Sequence, residues 1–276
     1  MEKLSIFKAI LLGLLHALTG LMPLSNDAHA LLLERLSGMK LTGEALLPFT
    51  LAVWVGLTLA ILAGCIKRVA DVIRHPFRGE GKWLLLSAVP LLGLTLLIRA
   101  TGWTDAVSHS ALTLLPFALL FNAIMLFLAQ GIAKNRRIAQ TDHDKPRFSD
   151  ALAAGLMQCL SVLPGVSLLG GSLSGSLGNG LKAKRAAEFS LLACVPALLV
   201  MYLPTAVGMM KDGQMKAAVS AHGPVLLAGM VSAFVVGIAA VSLTKLAVRR
   251  EKTGWFALYL ALMAVVVLSL GIAGKI

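Results

Sequence analysis

The chain reads as an all-α integral membrane protein with about six transmembrane helices and two shorter re-entrant helical hairpins. Three observations predict this. The composition is 58% hydrophobic and 14% charged, whereas soluble domains run near 45–50% apolar and about 25% charged. Apolar stretches of about 20 residues, the length that crosses a bilayer, recur along the chain. Most Lys and Arg residues sit in short segments between those stretches, the pattern of topology signals. The net charge of +12 is therefore assigned to orientation and to anionic lipid headgroups, and a nucleic-acid partner is not expected.

In chain order, spans are predicted at about 46–66, 83–101, 112–131, 186–209, 223–243 and 254–274. Two regions do not fit a simple span. Residues 4–24 are apolar but end at Pro23, and a short segment, 28–36, follows. Residues 150–164 end at Pro164, and a Gly/Ser-rich stretch runs on to 180. Proline breaks a helix and biases the residue before it toward extended backbone. Neither second arm is long enough to span. Broken backbone at membrane depth must be buried in protein or line a cavity. Cys65, Cys159 and Cys194 lie in apolar segments without metal or disulfide spacing and read as buried hydrophobes. The N-terminus shows no secretory cleavage pattern.

The two broken regions resemble each other. Gly13, Leu14, Leu18, Leu21 and Ser25 match Gly155, Leu156, Leu160, Leu163 and Ser167 at one constant offset, and Thr19 faces Ser161. The prolines are one residue out of register. The expected organisation is a single membrane domain, 1–276, built from two repeats. Residues 1–131 hold hairpin 4–36 plus three spans, and 149–276 hold hairpin 150–181 plus three spans. Segments 67–82 and 132–148, the cluster Lys182, Lys184, Arg185, and the run from Lys245 to Lys252 carry the basic residues and fall on one side, the cytoplasmic one by the positive-inside rule. Lys3 and Lys8 argue the other way and are outweighed. Three spans per repeat invert the second repeat relative to the first, an architecture of secondary transporters.

Polar residues concentrate at the breaks. The first holds His16, Thr19, Ser25, Asn26, Asp27 and His29. Ionisable groups at membrane depth suggest function, although Ser25, Asn26 and Asp27 equally suit a helix N-cap. The second offers Ser161, Ser167, Gly170, Ser172 and Ser174, small residues that let backbone N–H groups approach an anion or let helices pack closely. A metal site from His16, Asp27 and His29 matches no defined spacing. A Ser25/His29 nucleophilic pair is a further reading.

Here a family resemblance emerges. Leu18, Thr19, Gly20, Leu21, Met22, Pro23, Leu24 and Ser25 with His29 resemble the first motif of the undecaprenyl-diphosphate phosphatase family, the UppP/BacA or bacitracin-resistance family, E-G-L-T-E-F-L-P-V-S-S-T-G-H. Residues 158–167, Gly170 and residues 186–190 resemble its second, P-G-x-S-R-S-G-x-T. The resemblance covers nearly the whole chain and implies a bacterial inner-membrane protein. The departures are as specific as the matches. The motif glutamates fall on His16 and Gly20, the arginine on Leu168 and the next serine on Leu169; Asn26, Asp27 and Ala28 replace serine, threonine and glycine; and the later threonine is Ser172. Leucine supplies neither charge nor donor for a phosphoryl oxygen, and removing one such contact costs about 10²–10³ in rate.

The reading that follows is a phosphatase-like protein with a degraded catalytic set. It binds a polyprenyl-phosphate or related anionic lipid headgroup between the hairpins and moves it across the bilayer. Ser25, His29 and Ser167 are expected to contact the phosphate, with His16, Thr19, Asn26, Gly170 and Ser172 around it. Lys182, Lys184 and Arg185 are expected to attract headgroups. No cofactor is expected. The first alternative is a divergent lipid phosphatase using His29, Ser25 and Asp27, with a divalent cation. The second is a non-catalytic partner of an envelope enzyme. Beyond lipid and bilayer, a homodimer is the remaining partner expected.

Overall fold

The computed structural model describes residues 4–37, 46–102 and 111–274. Lys3 lies outside them. The fold is helical: α1 Ile6–Leu21, α2 Asn26–Ser37, α3 Leu47–Gly64, α4 Ile66–Arg74, α5 Gly81–Ser87, α6 Val89–Thr101, α7 Ala111–Ile138, α8 Phe148–Cys159, α9 Leu168–Asn179, α10 Ala183–Lys211, α11 Gln214–Arg249 and α12 Thr253–Ile272. Among the described residues, six helical segments are long and apolar enough to cross a membrane: α3, α5 with α6, α7, α10, α11 and α12. All six predicted spans are present, with shifted ends. α7 runs on to Ile138, so Lys134, Arg136 and Arg137 extend a helix rather than open a loop. Lys and Arg are good helix formers, and nothing obliges a helix to stop at the membrane edge. α11 similarly carries Lys245 and Arg249, and it kinks at His222, two residues before Pro224. Segment 67–82 contains α4, which places Lys67, Arg68 and Arg74 beside Ile66 and Ile73, as in an interfacial helix.

Both breaks form where proline dictates. α1 ends at Met22, extended at φ −104°, ψ 156°, before Pro23. The short 3₁₀ turn Leu160–Val162 that follows α8 ends at Leu163, also extended, before Pro164. Gly165 then takes φ +108°, and a Cβ there would press on Ala118. At 16, 12, 12 and 12 residues, α1, α2, α8 and α9 all fall short of a full crossing.

Small residues bring the helices together. α1 and α3 both pack on α11, where a Cβ on Gly13 would strike the Gly229 carbonyl and one on Gly56 the Met230 carbonyl. Packing and hydrogen bonds, rather than hydrophobic exclusion, drive such association in lipid. α11 also covers free helix ends: Thr244 Oγ1 donates to Leu21 O (2.7 Å) and Lys245 Nζ to Gly64 O (2.6 Å). α8 packs on α5 and α6, with Gly155 against the Ser87 carbonyl. Gly155→Val should separate this contact and lower stability by about 1–3 kcal/mol. Gly93→Val, which meets nothing within 4 Å, should leave the thermal midpoint in detergent unchanged.

One end of the bundle is basic and cross-linked. Arg185 bonds Glu80 and Glu188, each at 2.6 Å, and Arg68 reaches Glu188 at 3.0 Å. Lys182 pairs with Asp144 (2.8 Å) and holds that carboxyl below its usual range. Asp150 receives the Arg147 and Asn179 N–H groups and lies 2.8 Å from His143 Nε2. Segments 67–82, 132–148 and 182–188 and the end of α11 therefore lie together.

Candidate functional site

The two breaks meet. Gly20, Leu24, Asn26 and Asp27 from the first, and Ser161, Val166, Ser167 and Leu168 from the second, line one small cavity. Trp54 of α3 and Leu198, Met201 and Tyr202 of α10 close it. Its volume is about 40 Å³, enough for one or a few waters.

Each break ends in the same device. Ser25 Oγ accepts from Ala28 N at 3.3 Å, and Ser167 Oγ accepts from Gly170 N at 3.0 Å. These serines cap α2 and α9 and are 1% and 3% exposed. Two helix N-termini thus converge on the cavity, with Asn26, Asp27 and Leu168 in their first turns. The earliest N–H groups of a helix have no intrahelical acceptor, and their partial positive charge favours an anion. Among the described residues no Lys or Arg lines the cavity, and its one ionisable group outside the tyrosine is Asp27. Asp27 is exposed where it meets the cavity.

The remaining residues singled out from sequence fall around this centre at different distances. Thr19 Oγ1 donates to Leu15 O (2.8 Å) and lies 3.0 Å from Asn26 Oδ1. His16 is buried close to Asn26, with Nδ1 unpartnered. Together these orient Asn26 from behind. Gly170 packs beneath Asn122, whose side-chain amide is fully buried without a protein partner. Ser172 is fully buried, its hydroxyl unpartnered, and does not line the cavity. His29 faces away: Nδ1 meets Ser25 O at 2.6 Å and Nε2 meets Tyr259 Oη at 2.7 Å, the two rings stacked. Lys182 and Arg185 are engaged in the ion pairs of the basic end, and neither they nor Lys184 line the cavity. Among the described residues no three His, Cys, Asp or Glu side chains group as a metal set. His29→Ala is expected to lower stability by about 1 kcal/mol through its lost hydrogen bonds while leaving lipid binding at the cavity unchanged, measured by melting and by ligand titration.

Sequence reading did not find Trp54 and Tyr202. Their rings lie 5.1 Å apart, tilted by 30°. With Leu198 they line both the cavity and an open, almost wholly apolar groove of about 590 Å³ between α3, α10 and α11. Each sits in a continuous apolar span, where an aromatic residue carries no distinguishing signal.

Fold and site thus define a polytopic helical membrane protein whose two broken helices line a small cavity of mixed polarity beside an open apolar groove. The family described as bacitracin resistance protein BacA matches residues 9–266, and the chain belongs to it. It is similar over its length to proteins named undecaprenyl-diphosphatase. That of Carboxydothermus hydrogenoformans is 28% identical over 273 residues, 98% of each chain. That of Corynebacterium glutamicum strain R is 30% identical over 292 residues, 98% of this chain and 93% of the relative. That of Mycobacterium sp. strain KMS is 30% identical over 283 residues, 97% of each.

Proposed function

We propose that this protein binds the phosphate end of a polyprenyl carrier lipid in the cavity between its two helix breaks and moves that lipid between leaflets without hydrolysing it. The observation that carries the reading is the junction of two environments at Trp54 and Tyr202. A small cavity of mixed lining, with Asn26, Asp27, Ser161 and Ser167 beside two helix N-termini, adjoins an open apolar groove large enough for part of a tail. The relatives' name supplies the lipid class. The degraded catalytic set follows from Leu168, His16 and Gly20 at positions where the family's motifs carry arginine and two glutamates, and from a cavity lined by no cation.

Movement between leaflets rests on an inverted repeat. Ile10 and Leu21 of α1 lie beside Ser232 and Thr244 of α11, so α1 runs with α11 toward the basic end. Trp83 and Ser87 lie beside Phe148 and Gly155, so α8 starts at the basic end and runs away from it. The equivalent residues Gly13 and Gly155, and Ser25 and Ser167, play the same parts in both halves. Helices that turn back at Pro23 and Pro164 suit re-entrant hairpins. Trp54 is seven residues from the start of α3, and Tyr202 nine from the end of α10. The cavity wall therefore spans a range of depths: Trp54 and Tyr202 lie roughly 10–14 Å from the non-basic end, whereas Gly20 adjoins Leu21, which bonds Thr244 five residues before the basic end of α11.

A second reading, hydrolysis, is favoured by Asp27. A Mg²⁺ ion is commonly held by one or two carboxylates plus substrate phosphates, and among the described residues Asp27 is the one carboxylate lining the cavity. The test is phosphate release from undecaprenyl diphosphate by the purified protein with Mg²⁺ or Ca²⁺ varied. The proposal expects no release above background. Turnover lost in Asp27→Asn would establish the enzyme instead.

A further inference from the structure

A second cluster, remote from the cavity, lies at the basic end. Lys184 in the first turn of α10 and Lys245 and Arg249 near the end of α11 line a pocket of about 240 Å³ with Glu188, Ser242 and Leu246. Glu188 is already shared by Arg68 and Arg185 (3.0 and 2.6 Å) and does not neutralise the three cations. Lys184 and Arg249 are exposed, with no ion-pair partner among the described residues. Lys245 gives one N–H to Gly64 O (2.6 Å) and keeps others free. The pocket is thus a preformed concavity with unbalanced positive charge, suited to an anion.

The helix itself indicates where that anion comes from. Val235, Ile238, Ser242, Leu246 and Arg249 follow one another at spacings of three or four and so share a face of α11. Val235, Ile238 and Leu246 are 59%, 37% and 41% exposed. An apolar strip along the span therefore leads to a hydroxyl and then to the cations. A soluble anion has no use for the strip, whereas an acyl chain lies along it with its headgroup at the helix end. We infer that this pocket binds the phosphate of an anionic glycerophospholipid of the basic-side leaflet, independently of the lipid in the central cavity.

Native mass spectrometry of the full chain, with phosphatidylglycerol titrated against phosphatidylcholine, tests this. The expected result is preferential retention of phosphatidylglycerol. Lys184→Gln combined with Arg249→Gln should weaken it roughly 30-fold, since each surface cation near an anionic lipid contributes about one factor of five. Should the double variant unfold, Lys184→Gln alone should weaken it about fivefold. Arg74→Gln with Arg78→Gln, cations of the same end outside the pocket, should leave retention unchanged. Equal retention of phosphatidylcholine, or an equal loss in the Arg74/Arg78 control, would overturn the inference. So would displacement by millimolar inorganic phosphate, which would assign the pocket to a soluble anion.

Discussion

Asp27→Asn should bind polyprenyl phosphate more tightly than the natural protein. Asp27 is the carboxyl group at the cavity where two helix N-termini meet. Its negative charge opposes the entry of a phosphate. Two unit charges about 8 Å apart at an effective dielectric near 20 repel by about 2 kcal/mol, or about 30-fold in affinity. Asparagine keeps the shape and the hydrogen-bonding capacity and removes the charge. Titration of the lipid into the detergent-solubilised protein reads the effect. The hydrolytic reading predicts the opposite sign, because an ion held by Asp27 would be lost with it. A fall in affinity that appears only when Mg²⁺ is present would therefore favour the enzyme.

Leu168→Arg should strengthen the same binding by about 10–100-fold. Leu168 opens α9 directly at the cavity, and the resemblance places the family's arginine there. A hydrogen bond to a charged group contributes about 1.5–3 kcal/mol, and the planar guanidinium can meet a phosphate through two N–H groups at once. The same titration checks it. An unchanged affinity would mean that the headgroup does not reach the first turn of α9. The variant alone should not release phosphate, since His16 and Gly20 still stand where the motif has glutamates.

Much of this architecture was legible in the sequence because its causes are local. Pro23 and Pro164 each follow a residue in extended backbone, and Ser25 and Ser167 cap the helix that follows. Pro116, Pro196 and Pro204, by contrast, lie inside continuous helices without a cap residue of this kind after them. The sequence match of Gly13 with Gly155 fell on two positions where helices touch backbone to backbone. Span ends were less legible. Hydropathy marks where a helix leaves the apolar layer, but α7 and α11 continue past that point through helix-forming Lys and Arg. The role of His29 depends on Tyr259, more than 200 residues away, which no local pattern reveals. The same holds for Arg185, whose ion pairs with Glu80 and Glu188 join separate segments. Trp54 and Tyr202 were invisible for a third reason: a ring in a lipid span and a ring at a cavity wall share one sequence signature.

The most direct test of the central claim is the transbilayer movement of a fluorescent polyprenyl phosphate in vesicles reconstituted with the purified protein, followed by quenching of the outer leaflet. The account predicts quenching that proceeds to both leaflets far faster than in empty vesicles, faster binding-limited exchange in Leu168→Arg at low lipid, and no free phosphate from the diphosphate form. Quenching that stops at the outer leaflet, together with phosphate released from undecaprenyl diphosphate, would contradict it and make the protein a hydrolase.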